Sequence, residues 1–269
     1  MRVAVVTPYI DEPDAVLRAA HYSVRAQTCE VTHIMVADGA RRRELDAYDI
    51  EHIVLGHPHM DGGCTARAVG ALAAFAAGHD AVAFLDADNR YTPDHVASLV
   101  EVVESTGAAL VFSDRSIELT DGTQCRFEDR DVVERQHVDT SCHFMTSRAA
   151  FLIAVWASMG PELWPLCDRL VVAAARRRDI PIGWSNRRSL IYVSRWGLHY
   201  KAMGQPIPRD EHQLDWTKVR ERAMSHAESS PWITSEDIMA VLGSEHGEVD
   251  PADDQFWNRL VAIDAPRGA

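Results

Sequence analysis

Two aspartates, Asp86 and Asp88, stand one residue apart at the end of the apolar run in "VAFLDADNRYTPDHV", residues 82–96. If both remain in extended backbone, residues i and i+2 project to the same side and the two carboxylates share one small volume. Like charges so placed repel unless a cation or a shared proton intervenes. Carboxylate oxygens favour hard ions, which makes Mg²⁺ or Mn²⁺ bridging a diphosphate the natural occupant. The plain alternative is a polar turn ahead of the next helix. An isolated Asp-x-Asp does not decide between them; its place in the fold does.

The pattern predicts strands at 2–8, 33–39, 51–56, 80–86 and 108–114, each a short apolar run closed by polar, Gly or Pro residues. Between them lie helical stretches: Pro13 to about Gln27, the alanine-rich 65–79 with Gly78 as its C-terminal cap, and Pro93 to about Glu104. Alternation of this kind implies an α/β fold, with an open, mostly parallel sheet flanked by helices. Such sheets bind ligands beyond the carboxyl ends of their strands. Thr7, Asp38, Asp86 with Asp88, and Asp114 all fall at expected strand ends, so they converge on one edge of the sheet.

Beyond residue 115 the alternation becomes irregular. Residues 115–136 read as a polar, loop-rich excursion, 137–156 as a strand or turn entering a helix, 168–178 as a helix with Asp168 as its N-cap, and 189–194 as a strand. From residue 206 the chain is polar and acidic, with Trp216, Trp232 and Trp257 interspersed, and reads as a helical appendage on the core.

Composition excludes several classes. A net charge of −13 over 269 residues disfavours a nucleic-acid binder that neutralises phosphates. Five cysteines are scattered without a Cys-x-x-Cys pair, which suits reduced thiols better than disulfides or zinc. The amino-terminal "MRVAVVTPYIDEP" turns polar too early for a signal peptide, and no stretch reaches about 18 apolar residues, the length that reads as a membrane span. The expected location is therefore cytoplasmic, with a homo-oligomer left open.

Several segments, in their order, resemble family-2 glycosyltransferases of the GT-A fold. They are "VAVVTPY", "SVRAQT" at 23–28, "VADG", "FLDADN" followed by "TPDHV", "DTSCHFMTSRAAF" at 139–151, "CDRL" at 167–170 and "RWGLHYK" at 195–201. The resemblance spans about 2–205. It implies a catalytic domain over 1–205, with a nucleotide-sugar half at 1–115 and an acceptor-side half at 116–205, and an appendage at 206–269. By that resemblance Thr7, Pro8 and Tyr9 line the base and ribose pocket, and Asp38 hydrogen-bonds the base. Arg67 faces the donor, and Asp86 is shared between ribose and metal. Asp88 and His199 complete the metal site, with Lys201 near the leaving group. Asp168 is the base that deprotonates the acceptor, and Asp139 is the other candidate carboxylate. The implied reaction is inverting, metal-dependent transfer from a nucleotide-sugar, of which a UDP-sugar is the expected kind, to a saccharide or other hydroxyl acceptor.

The sequence also departs from the family pattern. "ADGA" carries one acid fewer than is common after the second strand, and the acid often found before Asp168 is absent. "RRR" at 41–43 reads as a solvated face. His57, His59 and Asp61 read as a loop rather than a zinc site, with Gly62 and Gly63 letting it approach the donor. These departures keep alive a catalytically inactive nucleotide-sugar binder or assembly protein. A sugar nucleotidyltransferase is disfavoured, because "TPYIDEPD" has neither the glycines nor the lysine of its phosphate loop.

Overall fold

The computed structural model describes residues 1–126, 128–129, 138–161, 163–209, 216–227, 230, 232–242 and 261–262. Its strands are β1 (Val3–Tyr9), β2 (Val31–Ala37), β3 (Glu51–Val54), β4 (Ala81–Phe84), β5 (Arg90–Tyr91), β6 (Leu110–Leu119), β7 (Glu128–Asp129), β8 (His143–Thr146), β9 (Ile182–Ser194) and β10 (Val261–Ala262). The helices are α1 (Asp14–Arg25), α2 (Cys64–Ala76), α3 (His95–Thr106), α4 (Ile153–Ala157), α5 (Cys167–Arg177), α6 (Gly197–Ala202), α7 (Trp216–Ala227) and α8 (Ser235–Leu242).

Eight strands form one sheet in the order β3-β2-β1-β4-β8-β6-β9-β5, and β7 pairs with β10 separately. β3, β2, β1 and β4 are mutually parallel, and β6 runs parallel to β9. β8 is antiparallel to both β4 and β6, and β5 is antiparallel to β9. The sheet is thus mixed but mostly parallel, as the alternating pattern implies.

Strand alternation assigns the two faces. Val6 of β1 and Val36 of β2 point at α2, where a Cβ on Gly70 would lie 2.5 Å and 2.9 Å from their methyl carbons. Only hydrogen fits there, so this glycine lets α2 lie close on the sheet. Phe84 lies on that face too, edge-on to Trp156 of α4 with centroids 4.7 Å apart. Thr7 points the opposite way and hydrogen-bonds His33 Nε2 at 3.0 Å, while His33 and His21 of α1 share a 3.0 Å bond. Helix α1 therefore covers the face opposite α2. Its end meets the start of α3, where the Val96 amide donates to Gln27 Oε1 at 2.9 Å.

Helices α1, α2 and α3 match the expected positions, and Gly78 adopts φ +83° just past the end of α2. Two expectations need correction. The strand expected to end at Asp114 continues to Leu119, so β6 runs through the expected 115/116 division and into the supposed loop. Its second half pairs with Leu190–Ser194 after register shifts around Asp114, which therefore stands at a bulge rather than a strand end. In "RSIEL" half-buried Ser116 and Glu118 alternate with buried Arg115, Ile117 and Leu119, as a strand with one covered face requires. Second, α5 begins at Cys167 with Leu166 as its N-cap, which puts Asp168 inside the first turn instead of at the cap.

The five cysteines are free thiols. Helix α8 docks on α5, where Arg177 Nε and Nη2 donate to the Asp237 oxygens at 2.9 Å and 3.0 Å. Residues 210–215, 228–229, 231, 243–260 and 263–269 of the expected appendage, Trp257 among them, lie outside the described residues.

Candidate active site

Leu85 donates its amide to Val6 O at 3.0 Å, so β4 stays paired with β1 up to the edge of the site. The next residues form a turn, closed by the Asn89 amide donating to Asp86 O at 2.9 Å. Asp86 follows Phe84 in the alternation and faces α2. There Arg67 Nη2 meets Asp86 Oδ1 at 2.5 Å, and Arg67 Nη1 donates to Gly62 O at 2.8 Å. The Arg67 side chain is only 5% exposed, against 27% for Asp86. The cation is thus held at the floor of the site and the carboxylate at its surface.

Asp88 lies 3.7 Å from Arg195 Nη2, a separation that leaves its charge weakly compensated. Burial pushes its carboxyl up to about 7; the Asp86 charge adds to this, Arg195 opposes it, and Asp139 and Glu12 contribute further. Asp139 is buried in the turn before β8. Its carboxyl is pushed up to about 6 by burial and by Asp86, held back by Arg115, and raised again by Asp168. Arg115 Nη1 stands 3.7 Å from Asp139 Oδ2, with its guanidinium 5.0 Å from the Tyr192 ring centroid. Asp168 accepts from the Arg169 amide at 2.7 Å and lies close enough to act on Asp139. Asp86, Asp88, Asp139 and Asp168 thus form one field, answered by Arg67, Arg115 and Arg195.

The remaining predicted residues surround this centre in different states. Thr7 is fully buried with its hydroxyl on His33, so its side chain faces away from the α2 side. Pro8 packs beside the loop glycine, 3.1 Å from where a Gly63 Cβ would be. The Tyr9 hydroxyl bonds His52 Nε2 at 2.7 Å and accepts from the Arg42 amide at 3.3 Å. Asp38 holds the loop after β3: Oδ1 accepts from the His59 amide and Nδ1 at 2.8 Å and 2.9 Å, and Oδ2 from the Met60 amide at 3.0 Å. A carboxylate oxygen has two lone-pair directions, so Oδ2 retains capacity for one more donor. That loop turns through left-handed Met60, Gly62 and Gly63, with φ of 55°, 64° and 82°. His199 is buried on α6 with Nδ1 bonded to Ser194 Oγ at 2.6 Å. Arg41 pairs with Asp46 at 2.6 Å on the surface.

Among the described residues, no three His, Cys, Asp or Glu side chains converge into a ready-made metal cage. A cation held by Asp86 and Asp88 would take further oxygen ligands from a diphosphate or from water. Two oxygen-donor side chains in an under-compensated negative field fit that demand.

Sequence reasoning missed Arg115, Arg195 and Asn89. Arg115 lay in the stretch taken for a loop, although the alternation of "RSIEL" was there to be read. Arg195 and Asn89 lay inside quoted motifs but showed no partner until the chain was folded.

Residues 4–152 match the family model described as "Glycosyl transferase family 2", more than half of the chain. The chain belongs to glycosyl transferase family 2. It is accordingly a glycosyltransferase, and family membership agrees with the mixed open sheet and its flanking helices. Among solved structures it is similar to S. aureus TarS 1-349 in complex with UDP, at 10% identity and TM-score 0.59, over 90% of this chain and 70% of that one. TarS 1-349 in complex with UDP-GlcNAc matches at 12% identity and TM-score 0.55 with the same coverage. A longer TarS structure matches over 42% of its length, at 11% identity and TM-score 0.56. At such identities the likeness is one of fold. Among curated proteins none matches.

Proposed function

We propose that the chain is an inverting, cation-dependent transferase that moves a sugar from a nucleotide-sugar, specifically a UDP-sugar, to a hydroxyl acceptor. The observation that carries this reading is the carboxylate field at the end of β4, where burial and Asp86 hold the Asp88 carboxyl near 7. A group so poised gains most when a cation arrives.

In this reading Asp88 and Asp86 would hold Mn²⁺ or Mg²⁺ beside the donor diphosphate, with His199 of α6 as the further ligand. When bound, the cation supplies compensation for charge on the departing diphosphate. Arg67 holds Asp86 in place beside the donor through their ion pair. Asp38 offers its remaining lone pair on Oδ2 to a base N–H, and Pro8 with Tyr9 borders the base. The Asp168 carboxylate takes the proton from the acceptor hydroxyl as that oxygen attacks the anomeric carbon. A specific observation favours a second assignment of the base: the Asp139 carboxyl lies at about 6, nearer to neutrality than an ordinary aspartate. Residues 1–205 form the catalytic unit, and 206–269 an appendage that docks through α8. No helix among the described residues is long and apolar enough to cross a membrane, and we place the enzyme in the cytoplasm.

Calorimetric titration with UDP and Mn²⁺ tests this reading. Binding should require both components and be lost in Asp88→Ala. Absence of binding by the native chain, or binding indifferent to Asp88→Ala, would overturn it. Donor turnover separates an enzyme from an inactive binder.

A further inference from the structure

We propose that Asn89 is a positioning residue that ties the Asp86–Asp88 turn to the two other segments of the site. The inference rests on the glycosyl-transfer reading above. Asn89 is fully buried, and its side chain points in two directions at once. Nδ2 donates to Ser141 Oγ at 3.0 Å, and Oδ1 accepts from the Val193 amide at 2.9 Å.

Each of those partners leads to a charged group of the site. Ser141 Oγ also accepts from the Asp86 amide at 3.1 Å, and the Ser141 amide donates to Asp139 Oδ1 at 2.9 Å. Val193 precedes Ser194, which bonds His199, and Arg195, which faces Asp88. One amide side chain therefore links the end of β4, the turn before β8 and the end of β9. These segments lie far apart in sequence, and β4 and β9 are not neighbours in the sheet.

A neutral amide suits this position. Val193 needs an acceptor and Ser141 Oγ accepts a donor, and a primary amide offers both from one planar group. An ionised aspartate could accept from Val193 and from the Ser141 hydroxyl, but it would add another buried carboxylate to a field already crowded with them. Alanine would leave the Val193 amide without its acceptor. The turn is then held from the β9 side only by the pairing of β5 with β9 beyond it, and the separation of Asp88 and Arg195 is already 3.7 Å. Misplacement of a catalytic group by about 1 Å can cost on the order of 10²-fold in rate.

The experiment compares Asn89→Ala, Ser141→Ala and their double variant in the full chain, with Ser189→Ala as control. Ser189 is also buried, and it bonds His95 Nδ1 at 2.9 Å away from the carboxylates. Turnover of UDP-sugar, by hydrolysis or transfer, is measured with thermal stability. We expect Asn89→Ala to lose about 10–100-fold in kcat with donor KM changed less than about threefold. Ser189→Ala should lose comparable stability and keep its kcat. The double variant should fall short of the product of the two singles, because both cut one network. Crystal structures of native and Asn89→Ala protein supply a ligand-free readout, in which Asp88 should move relative to Arg195. An active native enzyme whose Asn89→Ala variant retains kcat, or an Asp88 that stays in place, overturns the inference. A native chain that neither binds nor turns over nucleotide-sugars refutes the underlying reading instead, and the crystal comparison still judges the placement.

Discussion

Replacing Arg67 by leucine would remove the cation from the floor of the site and leave Asp86 facing Asp88 and Asp139 alone. Breaking a buried ion pair from one side typically costs about 3–5 kcal/mol, because the surviving charge is stranded. Here the survivor retains 27% of its side-chain exposure, so water recovers part of that loss. The Gly62 carbonyl also loses the donor that holds it at 2.8 Å, worth about 1 kcal/mol. Leucine returns some apolar contact, and the expected net loss is about 2–4 kcal/mol. For a domain of this size that corresponds to roughly 4–16 °C in Tm. The assay is urea unfolding of the native chain, Arg67→Leu, Asp86→Asn and the double variant. Both singles strand a charge or its partner, whereas the double strands neither. It should therefore be less destabilised than the sum of the singles by at least about 1.5 kcal/mol. Strict additivity, or an Arg67→Leu loss below about 0.5 kcal/mol, would refute the assignment of this pair as the anchor of the acidic turn.

Further outcomes follow from other contacts. Asp168→Asn should lower transfer by at least about 10²-fold while UDP binding persists; if Asp139→Asn shows that loss and Asp168→Asn does not, the base is Asp139. His95 is fully buried and burial holds it down to about 3, against an ordinary value of 6.5. The unfolded chain thus gains a proton below about pH 6.5 that the native state refuses, and stability is lost as pH falls through that window. His95→Gln, compared with the native chain by denaturant unfolding from pH 7 to 4, should remove up to about 1.4 kcal/mol per pH unit of that slope; an unchanged slope refutes it. Asp139 and Asp88, whose carboxyls are raised, act in the opposite sense, so their asparagine variants should steepen the acid loss of stability. Gly70→Ala should cost about 1–3 kcal/mol by overpacking against Val6 and Val36, read as a lower urea midpoint.

The amino-terminal half was largely legible because its signals are local. Apolar runs of strand length, an alanine-rich helix and a glycine just past its end depend on residues a few places apart. The acidic turn was legible for the same reason: strand alternation alone puts Phe84 and Asp86 on one face. Past Asp114 the local signal is brief, an alternation over the five residues of "RSIEL" set among polar neighbours. β6 continues through polar residues because Arg115 finds Asp139 and Tyr192, and those partners lie far away in sequence. β8 has only four residues, too few for a period to declare its direction.

By itself, then, the sequence determined an open α/β sheet with paired carboxylates at the end of a central strand. What only the tertiary structure decided is which charges answer those carboxylates. Arg67 is turned inward because α2 lies close on the sheet at Gly70, and Arg195 reaches Asp88 because Asn89 ties β9 to the turn. The separation has a physical cause. Backbone periodicity is set by neighbours within a few residues, whereas the energy of a buried charge is set by whatever the completed fold places within a few ångströms of it.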